Sequence, residues 1–173
     1  MRFHGYGSAV LLMVSIELVT RIAAPVERCF DLARSIDLHM ASTDFTGERA
    51  VSGTTSGLIG FDQQVTWRGR HFGFKFRHTS RIGVYDRPRH FQDSMVQGAF
   101  KSFCHDHYFE SVSDETLMKD SMQFEAPLGF LGRMVEGLLD SHMRSLLRRR
   151  NDCIKRVAES EEWRHFLGEE EIA

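Results

Sequence analysis

Between Phe72 and Phe124 the chain alternates apolar and polar residues in four consecutive stretches. Every second position reads Phe74, Phe76, His78, Ser80, Ile82, then Phe91, Asp93, Met95, then Phe103, His105, His107, Phe109, then Met118, Asp120, Met122, Phe124. The intervening set carries Lys75, Arg77, Arg81, Gln92, Ser102, Lys119 and Gln123. A strand sends successive side chains to opposite faces, so the pattern predicts antiparallel strands with one wet face and one apolar face. His78, Asp93, His105, His107 and Asp120 fall on the apolar face. Ionisable groups there are costly unless paired or used, which points to an interior site.

Around these strands the period changes. Ser15 to Ala23 reads as a first strand ending at Pro25, followed by a proline-started helix through Ser35 and a second short helical piece over 36–41. Gly47, Gly53, Gly57 and Gly60 punctuate a loop-rich stretch with one short strand near 48–52. Four long strands are expected after Phe61, joined by short turns at Asp86–Arg89, Gly98–Phe100 and Ser113–Asp114. Beyond Pro127 the apolar residues recur at helical spacing: Leu131, Met134, Val135, Leu138, Leu139, His142, Leu146, Cys153, Ile154 and Val157 form one stripe, with Arg148, Asn151 and Lys155 off it. Such a helix must cover a surface, and the apolar sheet face is the candidate. The reading is an α+β fold with one domain over 15–160, a flexible extension over 1–14 in which Met13 is an alternative start, and an acidic, mobile tail over 161–173.

Composition narrows the picture. A chain of 173 residues with 42% hydrophobic content can fill one core. Its net charge of -2 gives no overall drive toward nucleic acid. Basic residues crowd the outer sheet face (Arg68, Arg70, Lys75, Arg77, Arg81) and the helix around Arg148, Arg149 and Arg150. The strand arginines lack an aromatic platform for stacking bases, so nucleic-acid binding is not expected. Transient contact with an anionic membrane surface is the alternative use of that stripe. Cys29, Cys104 and Cys153 have neither disulfide-framework nor metal-ligand spacing and fit a reducing cytoplasm. No cofactor fingerprint is present.

A strand, a proline-started helix pair, a run of antiparallel strands and a long closing helix resemble the helix-grip fold of the START and Bet v 1-like (SRPBCC) superfamily, in its bacterial polyketide cyclase/dehydrase-like ligand-binding branch. The residues carrying the match are Ala24 to Ala33, Thr66-Trp67-Arg68, Phe103 to Phe109 and Pro127-Leu128-Gly129. The resemblance implies a curved sheet of six to seven strands around the long C-terminal helix, with a hydrophobic cavity between them. Trp67, Phe76, Phe91, Met95, Phe103, Met118, Met122, Phe124, Met134 and Leu138 would then line the cavity. It carries over no catalytic motif, because this scaffold hosts carriers, receptors and enzymes alike.

Antiparallel partners keep a constant sum of residue numbers. A two-residue turn at Ser113–Asp114 pairs Val112 with Glu115 and sets His107 opposite Asp120. A three-residue turn at Gly98–Phe100 pairs Gln97 with Lys101 and sets His105 opposite Asp93. Two Asp/His couples would sit side by side facing the interior, with His78 nearby. They read in three ways: as mutually satisfied buried pairs, as the polar groups that orient a ligand or move its proton, or as a metal site of two histidines and two aspartates, the last set aside for want of a precedent. The expected function is binding of a hydrophobic or aromatic small molecule or lipid, with no metal or cofactor. The alternatives are a cyclase, dehydratase or isomerase using Asp93, His105, His107 and Asp120 as general acid and base, and an interaction module acting through the basic surface.

Overall fold

The computed structural model describes residues 13–126 and 129–168, and for 129–136 only the backbone. Strand β1, Met13–Ile22, alternates in burial, with Ile16 and Ile22 buried and Val19 exposed. It begins two residues earlier than the sequence suggests, so Met13 and Val14 belong to the sheet and not to an extension. Residues 1–12 lie outside the described residues. Pro25 then stands at the N-cap of α1, Val26–Ala33, where its missing N–H costs nothing. The Ser35 hydroxyl accepts from the Leu38 N–H at 3.2 Å and starts α2, Ile36–Ser42.

Strand β2, Arg49–Gly53, is followed by β3, Gln64–His71, β4, Phe74–Asp86, β5, His90–Gln97, β6, Ser102–Val112, and β7, Glu115–Glu125. Five strands therefore follow Phe61 where the alternation predicts four. The extra one arises because Phe72 and Gly73 both take positive φ, at 53° and 82°, and fold β3 and β4 into a tight hairpin. All neighbours are antiparallel, in the order β1-β7-β6-β5-β4-β3-β2. Register shifts in the β2–β3 and β4–β5 ladders bend and twist the sheet.

The turn at Ser113 pairs Val112 with Glu115 and His107 with Asp120. Asp93 stands opposite His105. The expected Gln97–Lys101 pair does not form: the β5–β6 ladder stops at Ser94 and Cys104, Gln97 pairs with Thr79 of β4, and the Lys101 N–H bonds to the Glu125 carbonyl. The register survives because its last pairs obey the same sum.

Helix α3, Gly129–Ala158, runs back over the concave face and packs on β1, α1 and α2. Its buried row is Leu147, Arg150, Asn151, Ile154, Val157 and Ala158. Leu138, expected in the buried stripe, is 58% exposed. Leu131, Met134 and Val135 have side chains outside the described residues. The acidic tail also departs from expectation. Trp163–Leu167 forms α4, and Trp163 and Leu167 join the core, with the Arg28 guanidinium 4.5 Å from the Trp163 ring. Apolar residues four apart on one helical face outweigh the local acidity.

Candidate functional site

Register parity puts His105 and His107 on the same face of β6, with Asp93 of β5 and Asp120 of β7 flanking them. The hydrogen bonds, however, do not follow the direct pairs. His105 Nε2 lies 3.0 Å from Asp120 Oδ1, and His107 Nε2 lies 3.1 Å from Asp93 Oδ2. A histidine ring carries Nε2 beyond the directly opposed residue, so it meets the diagonal one instead. The near nitrogens face the direct partners, His105 Nδ1 at 3.9 Å from Asp93 Oδ2 and His107 Nδ1 at 2.9 Å from Asp120 Oδ1, the latter out of line for a hydrogen bond. The two separate couples expected from the sequence thus become one interleaved cluster of four.

Asp120 is its hub. The side chain is fully buried, and Asn151 Nδ2 donates to Oδ2 at 2.7 Å while Arg150 Nη1 stands 3.6 Å from Oδ1. Arg150 also donates to the Ala33 carbonyl, and Asn151 lies 3.2 Å from the Thr20 hydroxyl. These partners offset the cost of burying a carboxylate. Sequence reasoning misses both residues, since it counts Arg150 among the basic helix cluster and sets Asn151 off the apolar stripe. A signal exists nonetheless, because both sit at helical spacing between Leu147 and Ile154.

Burial alone would raise the Asp120 carboxyl, but the hydrogen bond from His105 and the adjacent His107 ring hold it well below the usual carboxylate range. For Asp93 burial acts in the same upward sense, and the His107 hydrogen bond with the neighbouring rings brings the carboxyl down to about 2. His105 lies below its ordinary value because burial, then His107 beside it, disfavours the imidazolium. Burial lowers His78 as well. Asp93 is the member that opens outward, with a side chain 21% exposed against 7% for His105 and 2% for His107.

Asp93, His105 and His107 line a cavity of about 890 Å³ between the sheet and α3. Trp67, Phe76, His78, Phe91, Phe103 and Met122 also line it, and Leu138 stands on its rim. Four residues expected to line it do not. Met118 and Phe124 are fully buried in core clusters, Asp120 sits behind the histidines, and Met95 packs near Gly98 and His78. Met134 lies outside the described side chains. The cavity also holds polar groups that no local sequence signal links: His39 stacks on Trp67 at 4.2 Å and meets Glu48 at 3.3 Å, and His71 lies 3.0 Å from His142. Burial raises Glu48 but the His39 hydrogen bond outweighs it, leaving that carboxyl below its ordinary value. Phe72 and Phe74 of the β3–β4 hairpin border the cavity while 44% and 69% exposed.

No protein-family model matches the sequence, and no curated protein matches it. Solved structures do match. The Zhui aromatase/cyclase from Streptomyces sp. R1128 superposes with a TM-score of 0.69 at 13% identity, covering 86% of this chain and 94% of that one. A structure from Thermus thermophilus, TTHA0849, gives 0.66 at 16% identity, with coverages of 84% and 99%. The major latex-like protein 151 of Panax ginseng gives 0.58 at 13% identity, with coverages of 86% and 99%. At these identities the likeness is one of architecture, and with the sheet order and closing helix it establishes that the chain has a Bet v 1-like helix-grip fold.

Proposed function

We propose that this protein binds an apolar, preferably aromatic small molecule in the cavity between sheet and α3, with the molecule's polar head at Asp93 and His105. The observation that supports this reading is a cavity of about 890 Å³, lined chiefly by aromatic and aliphatic side chains, in whose wall Asp93, His105 and His107 form one compact polar cluster. Asp93 is held as a carboxylate and among the described residues only its Oδ2 is engaged, so the preferred head is a hydrogen-bond donor such as a phenol, enol or amine. Trp67 provides the assay, because it lines the cavity while Trp163 belongs to the core. Titration with polycyclic phenols is expected to quench fluorescence saturably, and Trp67→Phe to remove most of the signal. A series in which phenols bind no better than their methyl ethers would overturn the assignment of the head. Absence of any saturable binding would overturn the cavity role.

One observation favours a second reading, turnover of the bound molecule. Asp120 fixes His105 through Nε2, and the opposite nitrogen, Nδ1, has no hydrogen-bond partner among the described residues. A carboxylate-oriented imidazole with a free nitrogen beside a cavity is how a general base is built. One neighbour is named an aromatase/cyclase, which is consistent with such chemistry on this fold. Loss of proton exchange at an acidic carbon of the bound ligand in His105→Gln, with affinity retained, would mark this reading as correct.

A further inference from the structure

We propose that Asp93, His105 and His107 form a site for a divalent transition-metal ion of the zinc class, open to the cavity. The ion's contact with a cavity ligand rests on the binding role above; the site itself rests on the geometry of three side chains. One donor atom from each lies within 4.8 Å of the other two. His107 Nε2 and His105 Nδ1 both turn toward Asp93 Oδ2, at 3.1 Å and 3.9 Å. Donors about 2.0 to 2.1 Å from one ion stand roughly 3.0 to 3.4 Å apart; of the two pairs that involve Asp93, one is already at ligating distance and the other needs a closure of about half an ångström, while the two ring nitrogens stand within 4.8 Å of each other and close by rotation of the rings.

The remaining ring nitrogens supply the second argument. Ligating histidines characteristically hand their other nitrogen to a carboxylate, which fixes the ring and raises its basicity. Here a single carboxylate serves both: Asp120 Oδ1 lies 3.0 Å from His105 Nε2 and 2.9 Å from His107 Nδ1. The second of these is not a hydrogen bond as the rings stand, and His107 Nδ1 is buried without a hydrogen-bond partner among the described residues. An ion on Nε2 would place the proton on Nδ1, facing Asp120. Asp120 is itself held by Asn151 at 2.7 Å, so the outer shell is built as firmly as the inner one.

Charge and ligand type point the same way. With neutral rings the cluster sets two carboxylates against one guanidinium, that of Arg150, and a dication would reverse the deficit. Two imidazoles and one carboxylate suit zinc, iron(II) or cobalt(II), whereas magnesium and calcium take all-oxygen sets. Three protein ligands beside a cavity leave a position for an oxygen of a bound molecule.

The test uses the full chain, stripped with a chelator and titrated with Zn²⁺ against a chromophoric competitor, then with Co²⁺ read by visible absorption. One equivalent is expected. Asp93→Ala is expected to abolish it or weaken it more than about 100-fold, beyond the usual 10 to 100-fold cost of losing an outer-shell partner. The rival site is the His71–His142 pair, 3.0 Å apart. His71→Gln/His142→Gln is therefore expected to retain the equivalent. Loss in that double variant with retention in Asp93→Ala overturns the inference, as does a wild-type chain that takes up neither ion. Should Asp93→Ala not fold, the wild type still decides: Co²⁺ is expected to broaden the imidazole resonances of His105 and His107 before those of His71 and His142, and the reverse order overturns the site. Binding of polycyclic phenols by a chain that takes up no ion overturns this inference while leaving the cavity role intact.

Discussion

Replacing Asn151 with leucine tests whether Asp120 is held from behind by α3. The two side chains share the same branching, with the bulkier methyl groups on leucine, so the donor disappears between Leu147 and Ile154 without a cavity being opened. Asn151 is 1% exposed and its Nδ2 reaches Asp120 Oδ2 at 2.7 Å, so no water can take its place without reorganisation. A hydrogen bond to a charged group contributes about 1.5 to 3 kcal/mol, and stranding the acceptor adds about 1 to 3 kcal/mol of desolvation. Burial of the leucine side chain returns about 1.5 to 3 kcal/mol of this, leaving a net loss of about 1 to 3 kcal/mol. For a chain of this size each kcal/mol moves the midpoint by about 2 to 4 °C, so Asn151→Leu should lower Tm by about 2 to 12 °C. Thr20→Val is the companion, because Thr20 Oγ1 is the second partner of Asn151 at 3.2 Å and is uncharged. It should cost less than about 1.5 kcal/mol. Differential scanning calorimetry with urea unfolding at neutral pH measures both. A Tm change below about 2 °C for Asn151→Leu, or a loss matched by Thr20→Val, would refute the claim that the charged contact anchors the cluster.

Three further outcomes follow from the packing. Burial pushes the Cys29 thiol up to about 11 from an ordinary 9.0; its neutral form is favoured in the folded chain, so this contribution to stability is complete below pH 9 and is lost as pH rises through about 11. Mass spectrometry after iodoacetamide at about pH 8 should therefore find Cys153 modified well before Cys29, and equal rates would count against the burial argument. Trp163→Ala should cost about 3 to 5 kcal/mol in urea unfolding, as for a core aromatic, whereas a mobile tail would give no change. Gly98→Ala would set a Cβ 2.6 Å from Met95 Sδ and 2.7 Å from His78 Nδ1; a loss of about 1 to 3 kcal/mol with a shifted His78 resonance is expected, and a neutral substitution would show that the loop relaxes freely.

The strands are legible because a period of two is strict: once one face is apolar, a one-residue slip would move Phe91, Phe109, Met118 and Phe124 into water, so the register of β5, β6 and β7 follows from turn length and parity. The same parity exposes His105, His107, Asp93 and Asp120. What parity does not carry is reach. It places β-carbons, while the hydrogen bonds depend on where a five-membered ring ends, and that turns two couples into a diagonal network. The split between cavity wall and core is equally out of reach, since Met118 and Met122 share a face and differ only in whether α3 and the histidines leave space above them. His39 and Glu48 approach Trp67 through α2 and the loop before β2, a contact that no local period encodes.

The helix resists the same reading for an instructive reason. On the strands, polar residues on an apolar face are the informative exceptions; on α3, Arg150 and Asn151 are easily assigned to the wet face instead. Applied evenly, the rule that buried polar groups are partnered asks what Asn151 meets between Leu147 and Ile154, and a buried carboxylate on the opposing sheet is the natural answer. This arrangement separates the cluster's two sides. Asp93 faces the cavity and can be altered by whatever enters it, whereas Asp120 is closed off between the two histidines and α3, which holds it from behind. Substitutions at 150 and 151 should therefore change how His105 and His107 are oriented without touching any bound molecule, and substitutions at 93 should change what is bound while leaving the rings anchored from behind.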